Sequence, residues 1–255
     1  MTDERELIEK TADLENRVSE LASRLADAEH EQESFVYSVS HDLRAPLRAV
    51  AGFSRILIDE YHGKLGDEGE EILQIIYDNA RKLDQLIADL VTLSRTGRHK
   101  LSATKIQMDS LSREVFEELR KECPERMIEF TVGSMPDCSA DPTLLRQLLT
   151  NYISNAIKFT APRETAVIEI GGRSEDDSCT YFVKDNGVGF DMKNADRLFE
   201  VFQRLHSEKD FEGTGAGLAI ARLVAKRHGG DVWAEAEPDH GATFYFSLPS
   251  ADHRL

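Results

Sequence analysis

Residues 151–159 read Asn-Tyr-Ile-Ser-Asn-Ala-Ile-Lys-Phe, and this stretch decides how the second half of the chain folds. Its apolar residues continue a spacing that begins at Leu145, which predicts an amphipathic helix over residues 141–160. Asn151 and Asn155 lie four residues apart on the other side of this helix, with Lys158 beside them. An amide oxygen can bind Mg²⁺ while an ammonium meets phosphate oxygens, so the pattern suits a magnesium triphosphate. Taken alone, it fits an ordinary exposed polar face better.

Two glycine-rich segments follow this helix. Residues 185–189, Asp-Asn-Gly-Val-Gly, come after a predicted strand, where an aspartate can accept a hydrogen bond from a ligand amine. A hairpin turn accounts for them equally well in isolation. Residues 213–217, Gly-Thr-Gly-Ala-Gly, precede a helix predicted at 216–228. Amide donors at the positive end of such a helix form a phosphate site, although alternating glycines alone are a weak signal.

A third segment lies between the two glycine-rich ones. Residues 198–202 read Leu-Phe-Glu-Val-Phe, and these aromatic side chains either anchor a mobile lid or belong to the core. The surrounding residues 190–212 are largely polar and charged, which is typical of a flexible flap over a bound nucleotide.

The first segment of the chain carries a heptad pattern, which predicts a parallel coiled coil over residues 1–34. A solitary amphipathic helix packed on its own domain is the alternative, and we disfavour it because no Gly or Pro interrupts residues 5–44. The two seam lines consist of Leu7, Leu14, Leu21, Ala28 and Phe35, and of Thr11, Val18, Leu25, Gln32 and Val39.

The helical pattern continues to about Leu57, and residues 62–67 then offer a chain reversal with two glycines. A second amphipathic helix follows and ends near Gly97. One helical hairpin cannot cover its own apolar stripes, whereas two hairpins paired as a four-helix bundle can. We therefore expect a homodimer through the coiled coil and the bundle.

After Gly97 the hydrophobic period changes to that of strands, at residues 128–132, 181–183 and 244–248, with helices between them. The fold class is therefore α plus α/β, a helical hairpin followed by a two-layer α/β sandwich. We place the coiled coil at residues 1–34, the helical domain at 35–97, a linker at 98–106, the α/β domain at 107–250 and a tail at 251–255.

Composition excludes several classes of protein. The formal net charge of −16 and a sequence pI of about 4.9 argue against nucleic-acid binding, which rewards clustered positive charge. No stretch reaches the roughly 18 apolar residues of a membrane span, and no apolar segment follows the charged start. The three cysteines form no Cys-x-x-Cys pair, so neither a disulfide scaffold nor a zinc site is expected. We expect a soluble, cytoplasmic protein.

Together these segments resemble the Bergerat-fold ATPases, and specifically the sensor histidine kinases of two-component systems. An Asn-x-x-x-Asn-Ala-x-Lys helix, an Asp-x-Gly-x-Gly turn, a Leu-Phe-x-x-Phe segment and a Gly-x-Gly-x-Gly-Leu helix occur in family order. Residues 38–47, Ser-Val-Ser-His-Asp-Leu-Arg-Ala-Pro-Leu, resemble the phospho-acceptor box of that family. The resemblance covers residues 33–250, and the run at 202–206 is similar to phytochrome-like members.

The resemblance implies roles for particular residues. His41 accepts the γ-phosphoryl group of ATP and passes it to an aspartate of a response-regulator receiver domain. Asn151, Asn155 and Lys158 handle Mg²⁺ and the phosphates, with Asn155 as the metal ligand. The base and its ribose side are contacted by Asp185, Gly187 and Gly189, and the triphosphate is cradled by Gly213, Gly215 and Gly217.

The residues around His41 agree with this interpretation. On the heptad count Val39 occupies an a position, so His41 occupies an outward-facing c position. Asp42 can accept a hydrogen bond from Nδ1–H, which leaves Nε2 to attack. A lone histidine is more often an ordinary surface residue, but an ATP domain in the same chain favours the functional reading. Pro46 lacks an N–H, so we expect a kink just past His41.

Two other functions are weighed against a sensor histidine kinase. A clamp ATPase, as in chaperones and topoisomerases, is disfavoured by the box around His41, and a non-catalytic scaffold is disfavoured by the intact motifs.

Many members of the resembled family carry Thr or Asn four residues after the acceptor, where this chain has Ala45. We therefore expect the regulator-phosphatase activity to be weak.

Overall fold

A computed structural model describes residues 2–175, 178–205 and 211–250 of the chain. The chain divides into two compact units, Met1–Ser94 and Arg95–Leu255. His206 and the predicted tail 251–255 lie outside the described residues, as do the side chains of Leu7 and Leu25. No helix in the described ranges has a stretch long and apolar enough to cross a bilayer.

The first unit is built from two long helices, α1 (Thr2–Glu60) and α2 (Gly66–Arg98). The predicted reversal is confirmed: the Gly63 N–H donates to Glu70 at 2.5 Å, and Gly63 has a φ of 74° that suits glycine. Helix α1 includes Pro46 within its length, and the kink there stays a prediction.

Polar and aromatic contacts join α1 to α2. The Arg44 guanidinium lies 3.8 Å from the Asp84 carboxylate, and the Arg55 guanidinium lies 5.9 Å from the centre of the Tyr77 ring. By contrast, many large apolar side chains of this unit are exposed, and they recur on both helices. They include Phe35, Val39, Leu43, Val50, Phe53, Ile56, Ile72, Ile75, Ile76, Leu83 and Leu90. These apolar surfaces have no cover within the described part of the chain.

The second unit contains a five-stranded sheet in the order β2-β4-β5-β7-β6. The strands β2 (Ile128–Val132) and β4 (Ala166–Glu175) are parallel, and all other neighbours are antiparallel. The remaining strands are β5 (Ser178–Asp185), β6 (Val232–Glu237) and β7 (Gly241–Pro249). A small separate sheet pairs β1 (Thr104–Ile106) with β3 (Cys138–Ala140).

Helices α3 (Met108–Arg120), α4 (Pro142–Phe159) and α5 (Gly217–Arg227) pack against this sheet. The Tyr152 ring of α4 lies 5.5 Å from the Phe244 ring and 5.9 Å from the Phe246 ring of β7. Alternate residues of the strands are buried beneath the helices, as one covered face requires. The predicted two-layer α/β architecture after a helical segment is confirmed.

The start of α4 is fixed by its N-terminal residues. Asp141 accepts hydrogen bonds from the N–H groups of Thr143 and Leu144, which satisfies donors that lack a partner in the first turn. The second Asp141 oxygen lies 3.0 Å from His99 Nε2 and also accepts the Ser102 N–H. This carboxylate therefore joins the helix that carries the candidate site to the segment after α2.

Candidate nucleotide site

The candidate site begins on α4. Asn151, Asn155 and Lys158 are half-buried along one side of the helix. The opposite side forms the core, as the apolar spacing predicts: Leu145, Leu148, Leu149, Tyr152, Ile153 and Ala156 are all buried. Because the core side is held against the sheet, the three polar residues keep a defined direction.

Asn151 lies against the start of α5. A methyl group at Gly217 would be 3.3 Å from Asn151 Oδ1, so the two predicted segments meet there. Within the described part of the chain, Asn151 Nδ2 is buried without a hydrogen-bond partner. A buried amide nitrogen without an acceptor is costly, and a bound phosphate oxygen would satisfy it.

Lys158 lies beside the other glycine segment. A methyl group at Gly213 would be 3.3 Å from the ammonium, which also lies 4.3 Å from the centre of the Phe159 ring. Burial lowers the pKa of Lys158 to about 8, and the positive charge of Arg204 adds to this effect. The site therefore holds an ammonium that an anion would stabilise.

Asp185 ends β5 and is buried. Its carboxylate accepts the Gly187 N–H at 2.8 Å. Burial raises the pKa of Asp185 to about 6, and hydrogen bonds from the Gly187 and Ala242 backbones partly offset that rise. A buried carboxylate with a perturbed pKa is typical of functional sites.

The glycines of both segments stand where another backbone comes close. Gly189 has a φ of 59°, and a methyl group there would overlap the carbonyl oxygen of Glu237. Gly215 has a φ of 81°, and a methyl group there would lie 2.5 Å from the carbonyl oxygen of Gln203. Each position therefore needs glycine for its own conformation and for close packing, independently of any ligand.

These features fit a nucleoside triphosphate. The described residues place an unpartnered amide nitrogen beside the N-terminus of α5, and a desolvated ammonium beside Gly213, four residues before that helix. They hold no cluster of three or more His, Cys, Asp or Glu side chains that could bind a metal. Mg²⁺ commonly binds through one or two protein oxygens plus substrate phosphates, so an amide such as that of Asn155 is a suitable ligand.

The apolar side chains of the predicted flap differ in their solvent exposure. Leu198 is buried and Phe202 is exposed, so one of the apolar side chains belongs to the core and another does not. Phe202 also has a φ of 63°, which is uncommon for a bulky residue. Residues 206–210 of the predicted flap lie outside the described residues.

His41 and Asp42 lie on α1 in the first unit. His41 Nδ1 is 3.2 Å from the Asp42 carboxylate, and the two side chains are 75% and 76% exposed. This is the pairing expected from the sequence. With Nδ1 directed at the carboxylate, Nε2 is the nitrogen available to react.

Sequence reasoning missed two arginines that bind backbone carbonyls, one at the end of α4 and one in the first glycine segment. Arg126 donates to the carbonyl oxygens of Ile157 and Thr160 at the end of α4, and Arg163 donates to those of Asn186 and Gly187. An arginine in a loop carries no spacing signal. The turn at residues 237–241, Glu-Pro-Asp-His-Gly, was recognisable as a turn from its composition.

Two family models match the chain. Residues 31–98 match the His Kinase A (phospho-acceptor) domain. Residues 140–252 match the histidine kinase-, DNA gyrase B- and HSP90-like ATPase. His41 therefore falls in the first match, and the site on α4, β5 and α5 falls in the second.

Two relatives align with nearly the whole of this chain. The chain is 32% identical to the phytochrome-like protein Cph1 of Synechocystis sp., over 91% of this chain and 31% of that protein. It is also 32% identical to the methanogenesis regulatory histidine kinase FilI of Methanothrix harundinacea, over 96% of this chain and 27% of that protein. The chain thus spans less than a third of either relative.

Solved structures share the fold. The crystal structure of full-length ShkA in complex with AMPPNP has a TM-score of 0.62 and 28% identity, covering 87% of this chain and 47% of that one. The Acinetobacter baumannii histidine kinase AdeS has a TM-score of 0.57 at 20% identity, which shows similarity of fold alone; 84% of this chain and 98% of that one are covered.

Proposed function

The chain belongs to the histidine kinase family, and from that premise we propose that it transfers the γ-phosphoryl group of ATP to His41. An aspartate on a response-regulator receiver domain would then receive the group. The observation that carries this proposal is the exposed His41–Asp42 pair, 3.2 Å apart, inside the phospho-acceptor match of a chain that also has an ATPase match. That combination favours a kinase over a clamp ATPase.

The chemistry assigned to His41 is a displacement at phosphorus. The Nε2 lone pair forms a bond to the γ-phosphorus, the bond from that phosphorus to the β–γ bridging oxygen breaks, and ADP leaves with that electron pair. The imidazole ring gains positive charge, which the neighbouring Asp42 carboxylate stabilises through Nδ1–H.

The nucleotide would be held by the second unit. We assign the amine of the base to Asp185, with Gly187 and Gly189 beside the base and ribose. Asn151, Lys158, Gly213, Gly215 and Gly217 are assigned to the phosphates, supported by the buried Asn151 Nδ2 and the desolvated Lys158. Mg²⁺, held by Asn155 and the phosphates, would supply charge neutralisation.

The test of the function is the chemical nature of the phosphorylated residue. Incubation with labelled Mg-ATP should label the protein, and the label should survive base and be lost in acid, as phosphohistidine does. A label that is stable in acid, or no label at all under conditions where ATP binds, would contradict the proposal.

We further propose that the first unit forms a homodimer that covers its exposed apolar side chains. Replacing Ile76 and Leu83 by Asp would bury four charges in the dimer, at a cost of several kcal/mol. Light scattering should then give about half the parent mass. Replacing the exposed polar Gln74 and Gln85 by Asp adds the same charge and should leave the mass unchanged. Equal masses for all three proteins would exclude this interface.

The affinity for ATP should depend on the charge of Lys158. Its pKa of about 8 means that raising the pH from 7 to 9 removes most of the positive charge, so the affinity for Mg-AMPPNP should fall about tenfold. Phosphates favour the charged form, so binding at pH 8 should take up a proton, which calorimetry in two buffers detects.

Lys158→Arg separates this effect from other pH effects, because a guanidinium stays charged at pH 9. The variant should bind AMPPNP with little change between pH 7 and 9. Lys226→Arg is the matched control, since Lys226 is an exposed lysine paired with Asp231, and it should retain the parental pH dependence. A flat pH profile in the parent would contradict the role of Lys158.

Ala45 bears on the second activity of many such kinases, dephosphorylation of the regulator. It is exposed one turn after His41, and a methyl group can neither donate nor accept a hydrogen bond. We expect slow phosphate loss when the protein is added to phosphorylated regulator, and faster loss with Ala45→Asn. Fast loss with the parent and no gain in the variant would contradict this expectation.

A further inference from the structure

Arg163 joins two turns next to the candidate base site. It lies in the connection between α4 and β4 and is half-buried. Its Nε donates to the carbonyl oxygen of Asn186 at 2.8 Å, and its Nη2 donates to those of Gly187 at 2.9 Å and Asp239 at 2.6 Å. One guanidinium therefore binds three backbone carbonyls.

The two turns that Arg163 joins also contact each other directly. The first, residues 185–189, follows Asp185, and the second, residues 237–241, connects β6 to β7. The Asp239 N–H donates to the carbonyl oxygen of Val188 at 2.7 Å. Asp239 has a φ of 64°, so the second turn includes a left-handed backbone conformation that residues other than glycine rarely adopt. The contact with Arg163 and Val188 stabilises it in that conformation.

Other contacts hold the first turn to the end of α4 and to β4. The Val188 N–H donates to the Phe159 carbonyl oxygen at 3.2 Å. The Asn186 side chain accepts the Val167 N–H and donates to the carbonyl oxygen of Thr165. These bonds restrain the turn along one edge, and the guanidinium of Arg163 restrains it on the side of the 237–241 turn.

We propose that Arg163 is a positioning residue for recognition of the nucleotide base, which rests on the proposed function of Asp185 and Gly187. The Asp185 carboxylate is bonded to the Gly187 N–H, and Arg163 binds the carbonyl of that same Gly187. A shift of the turn therefore moves the carboxylate that receives the base. Since base selection depends on the placement of a few polar atoms, the shift reduces the preference for adenine over guanine.

The test compares Arg163→Lys with the parent. Lysine keeps the positive charge but lacks the planar fork that reaches several carbonyls. Calorimetry with Mg-AMPPNP and Mg-GMPPNP measures binding without turnover. The parent should prefer the adenine nucleotide, and in the variant the ratio of the two affinities should fall about fivefold or more, mostly through weaker adenine binding.

Arg227→Lys is the matched control. Arg227 also donates to a backbone carbonyl oxygen, that of Thr96 at 2.7 Å, but it lies at the C-terminal end of α5. This variant should lose thermal stability while keeping the parental ratio. An unchanged ratio in Arg163→Lys, or the same fall in both variants, would overturn the proposal. Failure of the parent to bind AMPPNP would instead overturn the proposed function.

Discussion

His41→Gln should abolish phosphorylation of the chain while leaving its affinity for Mg-AMPPNP unchanged. Glutamine keeps polarity and similar size but offers no basic nitrogen that can attack phosphorus. Nucleotide affinity should persist because His41 and the candidate nucleotide site lie in different compact units. The measurements are incorporation of label from ATP and calorimetry with AMPPNP, made on the same preparation.

His62→Gln is the matched control for this prediction. His62 is also an exposed histidine of the first unit, and its Nδ1 lies 3.0 Å from the Glu70 carboxylate. It therefore has the same chemical pairing as His41 but lies outside the predicted acceptor box. The control should incorporate label at the parental rate. Undiminished labelling of His41→Gln would show that another residue accepts the phosphoryl group.

Helices α4 and α5 of the α/β domain were predictable because their apolar spacing and their packing agree, whereas α3 was not among the predicted helices. On α4 the predicted apolar stripe is the buried one, and Asn151, Asn155 and Lys158 share the side left for a ligand. The residue types also limited the chemistry, since amides and an ammonium suit phosphate and Mg²⁺.

The support of the site was not predictable in the same way. Arg163 and Arg126 bind backbone carbonyls that are brought near them only by the tertiary fold, so no periodicity marks them. The glycines of the site also have a packing role that the sequence did not indicate. Gly189 was assigned to a ligand contact, whereas the structure places it against the carbonyl oxygen of Glu237. Glycine is required there by backbone packing, and its contact with a nucleotide stays a prediction.

The end of α2 shows how tertiary contacts set a boundary. The polar run after Thr96 predicts a linker at 98–106, which stays a prediction, and the compact units divide between Ser94 and Arg95. Thr96 is buried, its hydroxyl donates to Gln147, and its carbonyl oxygen accepts a hydrogen bond from Arg227 at 2.7 Å. These contacts to α4 and α5 involve residues far apart in sequence, and local composition does not reveal them.

Asp185→Asn should weaken the binding of Mg-AMPPNP by about 2 kcal/mol, or about thirty-fold in Kd. The substitution keeps the shape but places an amide donor where a carboxylate oxygen would accept the amine of the base. The pKa of Asp185 is raised from 3.8 to about 6, so the free energy of unfolding falls as the pH rises between these two values and stays lowered above pH 6. A carboxylate kept at such a cost indicates a binding role.

The raised pKa of Asp185 also allows a test by the pH dependence of binding. As the pH falls from 7 to 5, the Asp185 carboxylate becomes protonated and no longer accepts the amine of the base as a charged group. The affinity of the parent for Mg-AMPPNP should therefore fall about tenfold, whereas the affinity of Asp185→Asn should show no such fall. Asp231→Asn is the control, because that carboxylate also accepts a backbone N–H, from Val232, but lies at the start of β6. It should bind AMPPNP as the parent does at both pH values. Parental affinity in Asp185→Asn would show that the buried carboxylate does not receive the base.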